Sequence, residues 1–575
     1  ERTMNRLKIN IRNSKFEIRN LLIIALIILL VAGGVFIYSK VLYATGGAYT
    51  RTKHGDTASG VDRSGIDSNY NNYNKGECAH CHEPHASFGG SEPAPVTGAA
   101  NDYLTFSVNT NGLCWTCHET FQLGSNPVGW GSYGFYQGET IYLNSSHGNS
   151  AVNQNMEWPG LTGSQDDPVW PREVNRSLPG NQEGLCLNCH TPHGISGRYD
   201  TGAVPAGAGT QDGLIPHQLI AREEALCENC HDGNPAANIQ SEIEKGSSHP
   251  VDDTSLAAVH TVNEALPVTS RHVECYDCHN PHAADSSNKV KGMRYIDINA
   301  ALNDPPALGA RQPYEYEVCL KCHGDSYANI FPATAYPGTT TSRPPGNSNK
   351  RKEFDPNSSD AAYGPPGTNS SFHPVAAQGL NTSSRLNNQL SSAGLSTASI
   401  IKCTDCHNND LTSDTRGVAS GSPSSPKGPH GSTNTPILRA NYSTAAGPFG
   451  SYNNTRFALC FLCHNETAFN SSSTDTNFYK NMGMGSGNQH YRHLAGVSTY
   501  TSCHECHYNM HSNVEATNTE YNLSGGAANT FMVNFSPGVQ SNSFTLPRWS
   551  YDASTGQRTC NLICHGETHN KSYTP

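Results

Sequence analysis

The placement of its cysteines constrains this chain more than any other feature. All 20 fall into ten close pairs, and a histidine follows the second member of every pair. The pairs are Cys78/Cys81, Cys114/Cys117, Cys186/Cys189, Cys227/Cys230, Cys275/Cys278, Cys319/Cys322, Cys403/Cys406, Cys460/Cys463, Cys503/Cys506 and Cys560/Cys564. The histidines are His82, His118, His190, His231, His279, His323, His407, His464, His507 and His565. Two residues separate the thiols in every pair except the last, where Asn561, Leu562 and Ile563 intervene. Zinc ribbons and redox dithiols use the same two-residue spacer. Neither chemistry needs a histidine after each second cysteine.

Two thiols at this spacing with histidine next form the attachment sequence of a c-type haem. The thiols add to the two porphyrin vinyl groups, and the histidine is carried under the ring as the proximal iron ligand. Ten covalent haems c are therefore expected, on all ten pairs. The tenth is included because its histidine is retained and no cysteine is left over.

Composition agrees with a cofactor-built interior. Only 35% of the chain is hydrophobic and 15% is charged, against an average of about 25% charged. Such a chain builds a poor apolar core, so porphyrin faces are expected to supply buried surface and folding to depend on haem loading, as in small metal domains. The formal charge of −11, made more negative by haem propionates, argues against a nucleic-acid partner.

In order, residues 1–44 carry a basic region (Arg2, Arg6, Lys8, Arg12, Lys15, Arg19) and then an uncharged apolar run, Leu21 to Tyr38. This reads as an export element with its basic end inside, near the length of a membrane span. It is either retained as an anchor or cleaved at the weak site Leu42-Tyr43-Ala44. The rest then lies outside the cytoplasm, periplasmic or at the cell surface.

From residue 54 the chain repeats in units of leading histidine, motif, trailing histidine, motif. Unit 1 (54–146) has His54 and His85; unit 2 (147–248) has His147 and His193; unit 3 (249–336) has His249 and His282. A Pro/Gly-rich linker (337–371), containing the basic trio Lys350-Arg351-Lys352 as a solvated loop, precedes unit 4 (372–489) with His373 and His430. Unit 5 (490–575) has His490 or His493 leading and His511 trailing. Five units thus offer ten extra histidines for ten irons. His80 and His504, inside their motifs, cannot reach over their own rings; His217, His260 and His272 have no repeat equivalent, and His569 is a further candidate for the last iron or one in a neighbouring molecule.

The doubled motif with Cys-x-x-Cys-His-x-Pro-His at 78–85, 186–193 and 275–282 resembles the paired-haem repeat of multihaem c-type cytochromes used in extracellular electron transfer, including filament-forming ones. The resemblance spans about residues 54–569. It implies that the extra histidines are distal axial ligands. Unit 4 departs from the pattern, with Asn408-Asn409-Asp410 where the near histidine would be, and unit 5 has His511 one residue further out.

The expected fold is mostly irregular coil with short helices and little β-structure, elongated, with the haems as its core behind one amino-terminal transmembrane or signal helix. One or two helical turns ending on the proximal histidine are expected from the segments entering the motifs, such as Ile220–Cys227 and Tyr314–Cys319. A β-hairpin is expected from the alternation Phe531, Val533, Phe535 and then Phe544, Leu546. Sequons such as Asn369 and Asn453 suit a glycosylated surface. Histidine on both iron faces leaves no open position, which favours an electron conduit passing charge to other electron-transfer proteins or terminal acceptors, or along a head-to-tail polymer of itself. The rival is a multihaem reductase of nitrogen or sulfur oxyanions with one open haem. A structural zinc protein is the third class.

Overall fold

The computed structural model describes residues 49–64, 71–82, 111–118, 139–149, 223–251, 266–268, 273–303, 311–330, 349–357, 369–410, 428–480, 487–512 and 530–573 with short interruptions, together with residues 186, 189–190, 192–193 and 219. The amino-terminal apolar run, His85, His217, His260, His272, Phe544, Leu546 and most of the 337–371 segment lie outside these residues. Among the described residues no helix is long and apolar enough to cross a membrane. The chain divides into two compact units, Glu1–Leu113 with Cys189–Ala221, and Cys114–Asn188 with Arg222–Pro575.

The recurring local structure in most of the described motifs is one helical turn. The histidine N–H returns to the carbonyl of the first cysteine at 2.8 Å in His82, His407, His464 and His507, at 2.9 Å in His231 and at 3.0 Å in His279. A turn of this kind brings side chains three apart onto one face, which is what a two-residue spacer needs to present both thiols together. Three motifs start their turns in the same way. The acidic residue before the second cysteine, Asp277, Asp405 or Glu505, accepts the N–H of the residue before the first, Glu274, Lys402 or Ser502, at 2.8–2.9 Å. This is half of a capping box, and it satisfies a donor that the short turn would leave bare.

The helices are short. Those entering the fourth and sixth motifs run Glu223–Glu228 and Glu315–His323. The second agrees with the expected turn: it enters through Glu315, runs past Cys319 and Cys322 and ends on His323, with Gly324 N–H on Leu320 O at 3.0 Å. Buried apolar clusters are small, such as Met293, Tyr295 and Val318, or Ile141 with Ala283. Between them lie buried amides that bind the backbone: Asn280, fully buried, accepts the His282 N–H at 3.0 Å and donates to Gly292 O at 3.2 Å. Asn509 likewise accepts the His511 N–H at 3.1 Å.

Two local expectations are corrected. Residues 531–535 are not a strand, because Phe531 and Met532 take φ of +60° and +55° within a 3₁₀ turn, Thr530–Met532. The segment wraps the ninth motif instead, with Asn534 N–H on Cys506 O and Tyr508 N–H on Asn534 O at 2.9 Å each. Its alternating apolar side chains pack on Val539, Trp549 and Leu562. The basic trio is not a solvated loop. It opens a helix, Lys350–Phe354, capped by Asn349, whose Glu353 and Phe354 are buried. Arg351 grips Asp325 with two hydrogen bonds of 2.9 Å. The sequon residue Asn369 is buried too, its amide donating to Glu353 O at 2.7 Å.

The largest sheet is at the carboxy end. Strands β1 (Arg548–Asp552), β2 (Gln557–Cys564) and β3 (Glu567–Tyr573) form an antiparallel meander in that order. β2 carries both cysteines of the tenth motif, with Trp549 opposite Cys560 on one side and His569 opposite Leu562 on the other.

Candidate functional site

The histidines separated in sequence come together as pairs. Ring centres are 6.0 Å apart for His82 and His193, 6.3 Å for His147 and His231, and 6.3 Å for His249 and His323. They are 6.1 Å apart for His279 and His430, 6.2 Å for His407 and His511, and 6.1 Å for His493 and His569. Two imidazoles on opposite sides of one metal, each bound at about 2 Å with roughly 1.2 Å more to the ring centre, stand about 6.3 Å apart. The observed spacing is therefore that of a metal between two rings. Among the titratable groups around them, His464 acts most strongly on His373, and His507 on His490.

The ring nitrogens fit the same use. Nδ1 of His279, His407 and His507 donates to Lys289 O at 3.0 Å, Pro436 O at 3.0 Å and Met532 O at 2.8 Å. Nδ1 of His147, His249 and His493 donates to Pro281 O at 2.9 Å, Pro429 O at 2.6 Å and Gln489 O at 2.7 Å. A metal-bound histidine is commonly fixed in this way, the carbonyl setting the tautomer and leaving Nε2 for the metal. Burial lowers the basicity of these imidazoles, to a pKa of about 4 for His231, His373 and His407 and about 3 for His323, His430 and His490. They are neutral at pH 7, as iron ligation requires. The residues present thus fit haem at these motifs.

One rule governs the extra histidines. Each leading histidine bonds the carbonyl of the residue just before the next unit's trailing histidine: His54 to Pro192, His147 to Pro281, His249 to Pro429 and His373 to Met510. The two outer histidines so joined belong to one unit's motifs. His249 and His430 face His323 and His279 of unit 3, and His373 and His511 lie against His464 and His407 of unit 4. In unit 5 His493 stands against His569 and His507 acts on His490, so the two leading candidates have different neighbours.

The first two leading histidines share a local frame that the sequence repeats as Tyr-x-x-x-x-His-Gly. Thr52 Oγ1 and Ser145 Oγ donate to Tyr49 O and Tyr142 O at 2.7 Å, and they accept from Gly55 and Gly148 N–H at 3.0 Å. A β-carbon at either glycine would lie 2.0 Å from that tyrosine carbonyl. The tyrosine rings stand edge-on to the trailing imidazoles, Tyr49 to His193 at 5.8 Å and Tyr142 to His282 at 6.1 Å.

The first cysteines set the order of the motifs. The thiols of Cys114 and Cys186, Cys227 and Cys275, Cys319 and Cys403, and Cys460 and Cys503 lie close enough to interact in pairs. Each pair joins an even motif to the next odd one. Cys278 with Cys319, Cys406 with Cys463, and Cys506 with Cys564 lie close enough to interact electrostatically. From the fourth motif to the tenth, neighbours in sequence are neighbours in space.

Of the other expected attachment residues, Cys81, Cys117 and Cys322 are each half-buried. Cys81 ends a 3₁₀ turn, Cys78–His80, with its N–H on Cys78 O at 3.0 Å. It acts on Tyr49, whose hydroxyl is pushed up to about 12 by burial and then by Cys81 and Cys78. Cys117 and Cys322 sit inside α-helices, Asn111–His118 and Glu315–His323, one residue before the terminal histidine. Turn and helix spacing set these second cysteines beside Cys78, Cys114 and Cys319. Cys230 is the second cysteine of the fourth motif, and burial followed by Asp232 pushes its thiol up to about 11.

Glu353 is a functional candidate that sequence reasoning missed. It is wholly buried, 2.8 Å from Lys350 Nζ and 3.3 Å from His511 Nδ1, and it accepts the Asn509 amide. Burial pushes its carboxyl up, but Lys350 and His511 outweigh this and hold it well below the usual range. His511 is thus backed by a carboxylate where other imidazoles have a carbonyl. His80 and His504 serve structure: His80 accepts from Arg63 N–H at 3.0 Å and meets Asn74 O at 2.9 Å, and His504 meets Tyr442 Oη at 3.1 Å. His565 stands in no imidazole pair among the described residues; its Nε2 is 2.8 Å from Glu505 Oε1.

No known protein family, curated protein or solved structure matches this chain.

Proposed function

We propose that the chain is an exported ten-haem c-type cytochrome, an electron conduit and not an enzyme. The observation that carries this reading is the set of imidazole pairs 6.0–6.3 Å apart. When bound, each haem would supply a six-coordinate iron that takes up and releases one electron with little rearrangement and no open face for substrate. The protein's part is positional. The helical turns present both thiols to one ring edge, and the carbonyl acceptors hold each Nε2 at its iron. The leading–trailing bonds tie consecutive units, so the haems of motifs four to ten would follow one another along the chain.

Electrons would pass to other electron-transfer proteins or a terminal acceptor outside the cytoplasm. A trailing histidine serves the unit before its own, so His85, in the first unit, is the ligand that a second copy of the chain would use in a head-to-tail polymer. The test is haem quantitation and spectroscopy of the purified protein. Ten covalent haems, all low-spin and binding little carbon monoxide when reduced, are expected. Rapid carbon monoxide binding at one haem with turnover of nitrite, hydroxylamine or tetrathionate would replace the conduit with a reductase.

A further inference from the structure

The tenth motif is built differently from the others, and the difference explains its extra residue. Along a strand, side chains three apart point to opposite faces and side chains four apart to the same face. Cys560 and Cys564 lie in β2, which is regular throughout and paired on both edges. A two-residue spacer there would split the thiols across the sheet. The three-residue spacer puts Cys560, Leu562 and Cys564 on one face, all three packed in the cluster with Trp549, Phe535 and Val539.

The same geometry moves the ligand. His565 follows Cys564 as in every motif, but with Gly566 it forms a two-residue turn into β3, with φ of +51° and +82°. Two consecutive positive φ values are the signature of a tight type I′ hairpin. Its ring is directed at the ninth motif, 2.8 Å from Glu505 Oε1, and a β-carbon on Gly447 would lie 3.2 Å from its Nε2. His569 is in register with Leu562, midway between the two cysteines, so it stands on their face of the sheet, one strand spacing (~4.8 Å) to the side. In a porphyrin the iron is also set to one side of the line joining the two vinyl groups, opposite its midpoint. His493 lies across from His569 at 6.1 Å, stacked on Phe478, which abuts Trp549.

We infer that the tenth haem lies over the β2–β3 face, carried by Cys560 and Cys564 and held axially by His569 and His493, while His565 is a structural residue that fastens the hairpin to Glu505. This rests on the ten-haem reading. The register supplies one of the two ligands from within unit 5 itself.

The test uses the full-length holoprotein and three variants. In His569→Ala, one haem in ten should become high-spin and bind carbon monoxide when reduced. In His565→Ala, all ten should stay low-spin. His569→Met should keep ten haems, raise one midpoint potential and show a methionine–iron charge-transfer band, which keeps the test decisive if the alanine variant loses its haem. The opposite pattern, a high-spin haem in His565→Ala with His569→Met indistinguishable from wild type, overturns the assignment. So does a wild-type protein with nine haems and a divalent ion on Glu505, Cys564 and His565, whose ligand atoms lie within 4.8 Å of one another. A protein without covalent haem would instead sink the conduit reading itself.

Discussion

The fifth motif and the tenth solve one problem with two backbones. At Cys275–Cys278 the chain makes a helical turn, Asp277 caps it, and the next residue, His279, meets His430 at 6.1 Å. At Cys560–Cys564 the chain is a strand with no acidic cap between the thiols, and the histidine opposite His493 comes from the neighbouring strand. Spacer length therefore reports backbone conformation: two residues for a turn, three for a strand. On the assignment proposed above, the ligand follows the backbone and not the position after the second cysteine.

Exchanging the spacers should give the largest effect. Inserting one residue after Tyr276, or deleting Leu562, turns one thiol of the pair away from the other. Each variant is expected to carry nine covalent haems by mass spectrometry, with cooperative unfolding at lower temperature because buried porphyrin surface is lost. Full loading of both would mean that spacer and conformation are not linked.

Next comes the carboxylate behind His511. Glu353→Ala leaves Lys350 and Asn509 facing a buried gap, a loss of about 3–5 kcal/mol for breaking such a pair. Glu353→Gln removes only the charge and should raise the midpoint potential of the haem between His407 and His511, while the others hold their values. Redox titration with resolved spectra measures both.

Which residues stand together inside a motif was legible in the sequence, because a two-residue spacer and one helical turn fix them within a few positions. The pairing of outer histidines was not. His147 and Pro281 are 134 residues apart, His249 and Pro429 180, and His373 and Met510 137. Nothing local to His430, far from its motif and without the usual spacing, marks it as the partner of His279. Glu353 was hidden for the same reason, since Asn509 lies 156 residues away and the surrounding segment reads as linker. Two signals were present and readable: the Tyr-x-x-x-x-His-Gly repeat, and the three-residue spacer with His569 beyond a Gly turn. The alternation at 531–535 misled because packing around a motif, like strand pairing, rewards apolar residues two apart.

A smaller effect is expected at Lys245, which bridges Glu242 at 2.6 Å and Asp410 at 2.5 Å beside the ladder that pairs Ser247–Ser248 with Gly431–Ser432. Burial pushes Asp410 up, but Lys245 and Thr433 bring it below its ordinary value. Its contribution is complete above the unfolded carboxyl range, near pH ~4, and is lost as pH falls through the depressed folded value. Asp410→Asn should cost about 0.2–1 kcal/mol at neutral pH and flatten the acid limb of a stability curve. An unchanged acid limb would remove the bridge from the account. The smallest effect is at His85: because trailing histidines serve the preceding unit, His85→Ala should leave every haem of the isolated chain low-spin.

The central claim is that the chain holds ten irons, each between two imidazoles, with those of motifs four to ten in sequence order. Anomalous iron scattering from a crystal of the holoprotein tests it most directly. Ten peaks are expected, with those of motifs four to ten running in order and the last between His493 and His569. A peak flanked by one imidazole and an open face, or irons gathered around one centre out of sequence order, would contradict it.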